Sequence, residues 1–332
     1  CRVNQYETES IEAELRHAGW QPAQSDQPAA LYIINTCTVT AKAAMQSRQA
    51  VRHAIRENPE AAIVVTGCCV QAEPDTFSEI PGVHWVIGNT DKHRIAEIIA
   101  GHPLIPDNAP QRRWQRIHGM SRLPETALPA AERRARPYLK IQDGCDDFCS
   151  YCIVPHTRGP SRSLRPETAL ASIRRLARQG AKEIVLTGIH LGRYGMDLTP
   201  PATLCRLLSR IDAEAAVDRV RLSSIEPGEL TPEIIQMARE NARICPHFHI
   251  PLQSGDAGIL QKMKRPYSPS LFSERVCAIH ENLPHAAIGV DVLAGFPGED
   301  EAAFSNTLEL LASLPITYLH VFPFSPRPPT PA

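Results

Sequence analysis

The chain has 332 residues, of which 43% are hydrophobic and 21% charged, with a formal net charge of -1 and an isoelectric point near 7.0. That length suits about two domains, and no apolar run approaches the roughly 18 residues that would span a bilayer, so a membrane role is not expected. Near-neutral charge provides no global field for nucleic acid, so any RNA binding must rest on local basic patches.

In chain order, the stretch "ESIEAELRHAGW" places Ile11, Leu15 and Ala18 at helical spacing. "ALYIIN" reads as a short buried strand, and "AKAAMQSRQAVRHAIREN" as a polar-faced helix that stops before Pro59. "AAIVVTG" and "HWVIGN" are two further strands, and "DKHRIAEIIA" is the helix after them. This alternation predicts an open parallel α/β sheet over residues 1–100.

Residues 101–136 lose the periodicity and combine prolines with Arg112, Arg113, Arg116, Arg122, Arg133, Arg134 and Arg136. They read as an interdomain connection with a basic face, or more blandly as a solvated linker whose arginines touch nothing. From residue 137 six strands are expected: "YLKIQ", "EIVLTGI", "RVRLSSI", "HFHIPLQ", "AIGVDVLAGF" and "ITYLHVFPF". Helical stretches such as "PETALASIRRLARQG" and "EDEAAFSNTLELLASL" separate them. Six units are too few for a closed eightfold barrel and suit an open partial (β/α)6 barrel, with functional residues at the carboxyl ends of the strands. The polar or glycine residues there are Gly144, Cys145, Thr187, Gly188, Ser223, Ser224, Glu226, Gln253, Ser254, Gly295 and Ser325, which predicts one shared mouth. Apart from the proline-rich end "FPFSPRPPTPA", no repeat or low-complexity tract appears.

Ten cysteines are too sparse for a disulfide scaffold in a chain of this length. The solitary Cys205, Cys245 and Cys277 read as small buried hydrophobes. "CDDFCSYC" presents Cys145, Cys149 and Cys152 with C-x3-C-x2-C spacing. Three thiolates on one loop can hold three irons of a 4Fe-4S cluster and leave the fourth iron open, whereas a zinc site would recruit His156 as a fourth ligand. The position of this loop at the catalytic end of a βα unit favours the cluster. Cys1, Cys37 in "NTCTVT" and Cys68 in "VVTGCCVQ" form a second set. In an open parallel sheet the loops after neighbouring strands converge on one crevice, so residues this far apart in sequence can meet. Neighbouring residues leaving a strand point in opposite directions, so only one of Cys68 and Cys69 is expected to face the site. Cys68 keeps the "TGC" register and the strand-end position that Cys37 also has and is read as the ligand, with Cys69 an apolar bystander.

With Tyr151 just before its last cysteine, the C-x3-C-x2-C loop resembles the signature of the radical S-adenosylmethionine (SAM) enzymes. The resemblance implies that the open iron chelates the amino and carboxylate groups of SAM. One electron then cleaves SAM to methionine and a 5'-deoxyadenosyl radical, which abstracts a hydrogen atom from a C–H bond. It also implies that Tyr151 and the other strand-end residues hold SAM: Thr187 and Gly188 near its amino group, Ser223, Ser224 and Glu226 near its ribose or carboxylate, Gln253 nearby, and Gly295 along the adenine. Without the resemblance each would be an ordinary strand-end residue.

Across its whole length the chain resembles the methylthiotransferases, through "CRVNQYET", "NTCTVT", "VVTGC", "KIQDGCDDFCSYC", "RGPSRS", "LTGIHLGRYG", "RLSSIEP", "PLQSGD", "GVDVLAGFPGE" and "FPFSPRPPTPA" in order. "CRVNQYET", "NTCTVT" and "RLSSIEP" look most like the branch acting on N6-threonylcarbamoyladenosine in tRNA. The other branches act on isopentenyladenosine tRNA or on an aspartate of a ribosomal protein. The family implies a second 4Fe-4S cluster on Cys1, Cys37 and Cys68, which presents sulfur. One SAM methylates that sulfur, and the radical from another SAM activates carbon 2 of the base. The implied partners are the tRNA anticodon loop, whose base can be splayed out without breaking a pair, and a flavodoxin- or ferredoxin-type electron donor.

Arg158 and Arg162 in "RGPSRS" are candidate phosphate contacts, or else solvated surface. A cytoplasmic location is expected, since no signal-peptide pattern is present. The chain starts at Cys1 without a methionine, so a short natural N-terminus is expected to be missing. The family also implies a small tRNA-binding β-barrel domain after Ala332. Leu164 stands where the family commonly has an arginine, and Pro329 where it has a glycine.

Overall fold

The structure is a computed structural model that describes every residue except 25–26, 107–109 and 132–133, together with the side chain of residue 118. The chain divides into two compact units. One comprises Cys1–Ala130, Gly144–Asp146 and Cys152–Pro160; the other comprises Ala131–Asp143, Asp147–Tyr151 and Ser161–Ala332.

The first unit runs α1 (Arg2–His17), β1 (Leu31–Thr36), α2 (Ala41–Glu57), β2 (Ala62–Gly67), α3 (Cys68–Ala72), α4 (Pro74–Ser78), β3 (Trp85–Ile87), α5 (Ile95–Ala100) and β4 (Gln111–Arg113). The four strands are parallel and lie in the order β1-β2-β3-β4. Alternation along the buried β2 sends its side chains to two cores. Ile63 and Val65 pack with Val51, Ala54 and Phe77, whereas Val64 packs with Trp85, Ile87 and Ile98. Each such fully buried aliphatic side chain contributes roughly 1.5–3 kcal/mol.

Helix α1 begins at Arg2, earlier than the apolar spacing indicates, because the Cys1 side chain caps it by accepting from the Asn4 N–H. Residues 101–136 are not all connection. Gln111–Arg113 pairs with Trp85–Ile87 as the edge of the sheet. Its three residues are exposed and polar, so hydrophobic periodicity gives no sign of this strand.

In chain order from residue 137 come β5 (Tyr138–Lys140), β6 (Gln142–Asp143), α6 (Val154–Arg158, in the first unit), β7 (Arg162–Ser163), α7 (Pro166–Arg178), β8 (Glu183–Thr187) and α8 (Leu204–Glu214). Then follow β9 (Arg219–Leu222), α9 (Pro232–Glu240), β10 (His247–Gln253), α10 (Ala257–Lys262), α11 (Pro269–Asn282), β11 (Ala287–Ala294), α12 (Glu301–Ser313) and β12 (Tyr318–Pro323). Strands β5-β8-β9 and β10-β11-β12 form parallel ladders, and the parallel bridges Val220↔Ile244 and Ser224↔His249 connect one ladder to the other. All six expected strands are present and parallel, in chain order and with helices between them, as an open (β/α)6 array requires. Strands β6 and β7 add a short antiparallel pair. Among the described residues no helix is long and apolar enough to cross a membrane.

Candidate metal centres and cofactor site

The carboxyl edge of the first sheet gathers the three N-terminal cysteines. Thr36 and Gly67, the last residues of β1 and β2, are register partners, so Cys37 and Cys68 leave two neighbouring strands at the same level. Cys1 is brought to that edge by Asn4. The Asn4 side chain donates to the carbonyls of Asn35 and Thr36, both at 3.3 Å, and Asn35 Nδ2 returns a bond to the Asn4 carbonyl at 3.1 Å. Cys1 is exposed, Cys37 half-buried and Cys68 buried.

Gly67 makes the strand-to-helix turn with φ +101°, and a Cβ there would lie 2.4 Å from the Thr36 carbonyl oxygen. Thr36 Oγ1 donates to the Thr66 carbonyl at 2.6 Å and accepts from the Cys69 N–H at 3.2 Å, which fixes the start of α3. Asn89 reaches Cys68 Sγ at 3.8 Å. Cys69 is fully buried in the core beside Val70 and Phe77.

The second trio lies on the loop between β6 and α6. Cys149 is buried, and Cys145 and Cys152 are half-buried. Arg265 Nη1 lies 3.4 Å from Cys149 Sγ, and the same guanidinium bonds Glu226 and stacks on Tyr267 at 4.9 Å. Burial pushes the Cys149 thiol above its usual range while Arg265 opposes the shift. Burial likewise raises the Glu226 carboxyl against the same arginine. Tyr267 hydroxyl donates to the carbonyls of Pro251 and Leu252, so the cation is anchored to β10.

All ten cysteines are thiols and none is in a disulfide. Among the described residues, no set of three His, Cys, Asp or Glu ligand atoms within 4.8 Å of one another contains two cysteines. A tetrahedral zinc with Zn–S of about 2.3 Å needs thiolates about 3.8 Å apart. A cubane cluster, with a different iron behind each thiolate, spaces its thiolates more widely than that.

The expected cofactor residues sit at the carboxyl ends of consecutive parallel strands. Thr187 ends β8, Ser223 and Ser224 follow β9, Gln253 ends β10 at a bulge with φ +66°, and Gly295 follows β11. Thr187 and Ser223 are buried, Gly188, Ser224, Glu226 and Gln253 are half-buried, and Gly295 is exposed. Ser223 Oγ is buried with no hydrogen-bond partner among the described residues, which suits a site completed by a polar ligand. Tyr151 meets Phe296 edge-on with centroids 6.4 Å apart, and Phe296 meets Phe324 at 5.6 Å.

Sequence reasoning missed Arg265 and a polar network around the buried His190. In that network His190 contacts Glu229 at 2.6 Å and Asp147 at 3.4 Å, and Arg193 bonds Asp147 at 2.6 Å. The charged residues of "LTGIHLGRYG" were its one available signal.

The two arginines expected on RNA are placed elsewhere. Arg158 is 3% exposed and grips Glu7 with two bonds of 2.9 and 3.0 Å, while Lys92 bonds the same carboxylate at 2.8 Å. Arg162 is 2% exposed and lies 3.9 Å from Asp143. Burial against carboxylates removes both from phosphate contact. Arg112, Arg113, Arg116 and Arg122 are exposed, and Arg133 lies outside the described residues. Of the solitary cysteines, Cys245 is buried and Cys205 half-buried, but Cys277 is exposed, so the small-hydrophobe reading fails there.

Residues 1–88 match Uncharacterized protein family UPF0004, and residues 139–311 match the Radical SAM superfamily. The chain is 41% identical over 339 aligned positions to threonylcarbamoyladenosine tRNA methylthiotransferase MtaB of Bacillus subtilis, covering 100% of this chain and 73% of that one. It is 31% identical to the tRNA-2-methylthio-N(6)-dimethylallyladenosine synthase of Natranaerobius thermophilus, with 100% and 74% covered. In fold it is similar to the radical S-adenosylmethionine methyltransferase TsrM from Kitasatospora setae. That match has a TM-score of 0.66 at 15% identity and covers 94% of this chain and 64% of that one.

Proposed function

We propose, on the premise that this chain belongs to the radical SAM methylthiotransferase family and to its threonylcarbamoyladenosine tRNA branch, that it converts N6-threonylcarbamoyladenosine beside the anticodon into its 2-methylthio derivative. The observation that carries this reading is the pair of cysteine trios, one at the carboxyl edge of β1 and β2 and the other on the C-x3-C-x2-C loop. Cys145, Cys149 and Cys152 would hold the SAM-binding cluster, and Cys1, Cys37 and Cys68 the auxiliary one, each trio leaving an iron open to an outside ligand. When bound, the clusters and SAM supply the electron, the radical precursor, the sulfur and the methyl group.

The protein's share is positioning and charge. Arg265 holds a fixed positive charge beside Cys149 and keeps Glu226 in place at the strand ends. Ser223, Ser224, Glu226 and Gln253 are the polar groups proposed to orient SAM, with Thr187 and Gly188 proposed near its amino group and Gly295 along its adenine. Tyr151, edge-on to Phe296, supplies an apolar wall that excludes water. The target base sits in a single-stranded loop, where splaying it out costs little. Exposed Arg113, Arg116 and Arg122 are the proposed phosphate contacts, in place of Arg158 and Arg162. A flavodoxin- or ferredoxin-type protein is the proposed electron donor, and the cytoplasm the proposed location.

The test is anaerobic reconstitution of the full-length protein with SAM, a reductant and tRNA bearing either threonylcarbamoyl- or isopentenyladenosine, followed by mass spectrometry of the nucleosides. The methylthio product is expected from the first tRNA. Its formation from the second alone would overturn the substrate assignment.

A further inference from the structure

Strands β10, β11 and β12 carry a polar cluster that neither cysteine trio uses. The parallel register sets Asp291 beside His320 and places Gly289 opposite both His249 and Tyr318. By the period of two, His247, His249, Gly289, Asp291, Tyr318 and His320 share one face of this sheet, and the intervening Phe248, Ile250, Ile288 and Val290 are buried on the other. Asp291 Oδ1 lies 2.9 Å from His249 Nε2 and 3.2 Å from His320 Nδ1. All three ligand atoms fall within 4.8 Å of one another.

We propose that His249, Asp291 and His320 form a binding site for a first-row divalent cation, with zinc as the best-matched ion. Two imidazoles and one carboxylate are a borderline donor set suited to zinc. Tetrahedral bonds of about 2.0–2.1 Å place ligand atoms about 3.3 Å apart, so the two measured separations need to open only slightly to admit the ion. Three protein ligands leave a fourth position for water or a substrate oxygen.

The surrounding residues fit a support for these ligands. Gly289 has no side chain, and a Cβ there would lie 2.1 Å from the Tyr318 ring, so the ring can lie across the strand. Its hydroxyl is then 3.3 Å from His249 Nδ1 and 2.8 Å from His247 Nε2. With a metal on His249 Nε2, the Nδ1–H donates to Tyr318 oxygen and the tyrosine hydroxyl donates to His247. That chain of donors fixes the ligating tautomer. His249 is buried, the Asp291 side chain is 21% exposed and that of His320 50%, which leaves the ion a way in from solvent.

The test uses the holoenzyme with both clusters assembled, dialysed against micromolar zinc chloride, with zinc and iron measured together in each sample. Wild type is expected to take up one zinc per chain beyond its iron, and His320→Ala and Asp291→Asn none. Tyr318→Phe should bind zinc roughly tenfold or more weakly. His320 lies half in solvent, and an unchanged iron content confirms a folded variant. Zinc should raise the melting temperature of wild type and leave that of His320→Ala unmoved. Equal zinc uptake by wild type and His320→Ala, or an absence of uptake by wild type, would overturn the site.

Discussion

Cys68 and Cys69 share a side chain and a peptide bond but not a task. Cys68 opens α3 at the sheet edge within reach of Asn89, while Cys69 is packed at 0% exposure in the core. Cys68→Ala is therefore expected to halve the iron bound per chain after reconstitution. Cys69→Ala should keep all of it and lose about 1 kcal/mol of stability from the missing core sulfur. The reverse pattern of iron content would refute the assignment.

A second residue, His84, makes the first unit sensitive to acid. Its Nδ1 accepts the Ile63 N–H at 3.1 Å, which only an imidazole unprotonated at that nitrogen can do, and burial lowers its pKa below the usual value. Between the depressed folded value and the unfolded value of about 6.5 the unfolded chain binds more protons, so stability rises with pH there. This contribution is complete above about pH 6.5 and is lost as pH falls through the folded value. His84→Asn keeps an acceptor that cannot be protonated, so its melting temperature should fall less than that of wild type between pH 7.5 and 5.5. An identical fall in both would show that His84 is not the sensor.

At the scale of elements, what matters is how a strand turns into a helix and what pins each helix. Gly67→Ala forces a Cβ to within 2.4 Å of the Thr36 carbonyl at a positive φ. The turn must then open, at a cost of about 1–3 kcal/mol, and Cys68 moves with it. Thermal denaturation should show the loss, and iron content should fall as in Cys68→Ala. Helix α1 is pinned by Glu7, whose buried carboxylate bonds Arg158 of α6 and Lys92. Glu7→Gln leaves two buried cations without their anion and should cost about 3–5 kcal/mol in denaturant unfolding. Periodicity made β1, β2 and five of the six strands of the second unit readable, because half or more of each is buried or half-buried, whereas β12, exposed at five of its six positions, is readable only from its apolar and aromatic composition. It could not reveal β4, whose residues are all exposed. Nor could it show that the arginines of "RGPSRS" are interior, since a charged side chain carries no mark of the carboxylate awaiting it from far along the chain.

For the whole molecule, the two cysteine trios should separate by chemistry. Replacing Cys1, Cys37 and Cys68 by alanine should leave half the iron and a protein that still releases 5'-deoxyadenosine from SAM but makes no methylthio nucleoside. Replacing Cys145, Cys149 and Cys152 should leave the other half and abolish SAM cleavage. Methylthio product from the first variant would exclude a sulfur-presenting role for that trio. By itself the sequence determined the order of β1–β3 and of the six parallel strands of the second unit with helices between them, the two α/β regions, both cysteine sets and the family they resemble. These are carried by local spacing, by composition and by motifs that need no folding to be read. Only the tertiary structure decided that Asn4 draws Cys1 to the end of β1, that Arg158 and Arg162 are interior ion-pair partners, that Arg265 stands beside Cys149, and that two histidines and an aspartate meet across three strands. Each of these is a contact between residues remote in sequence, set by strand register and burial.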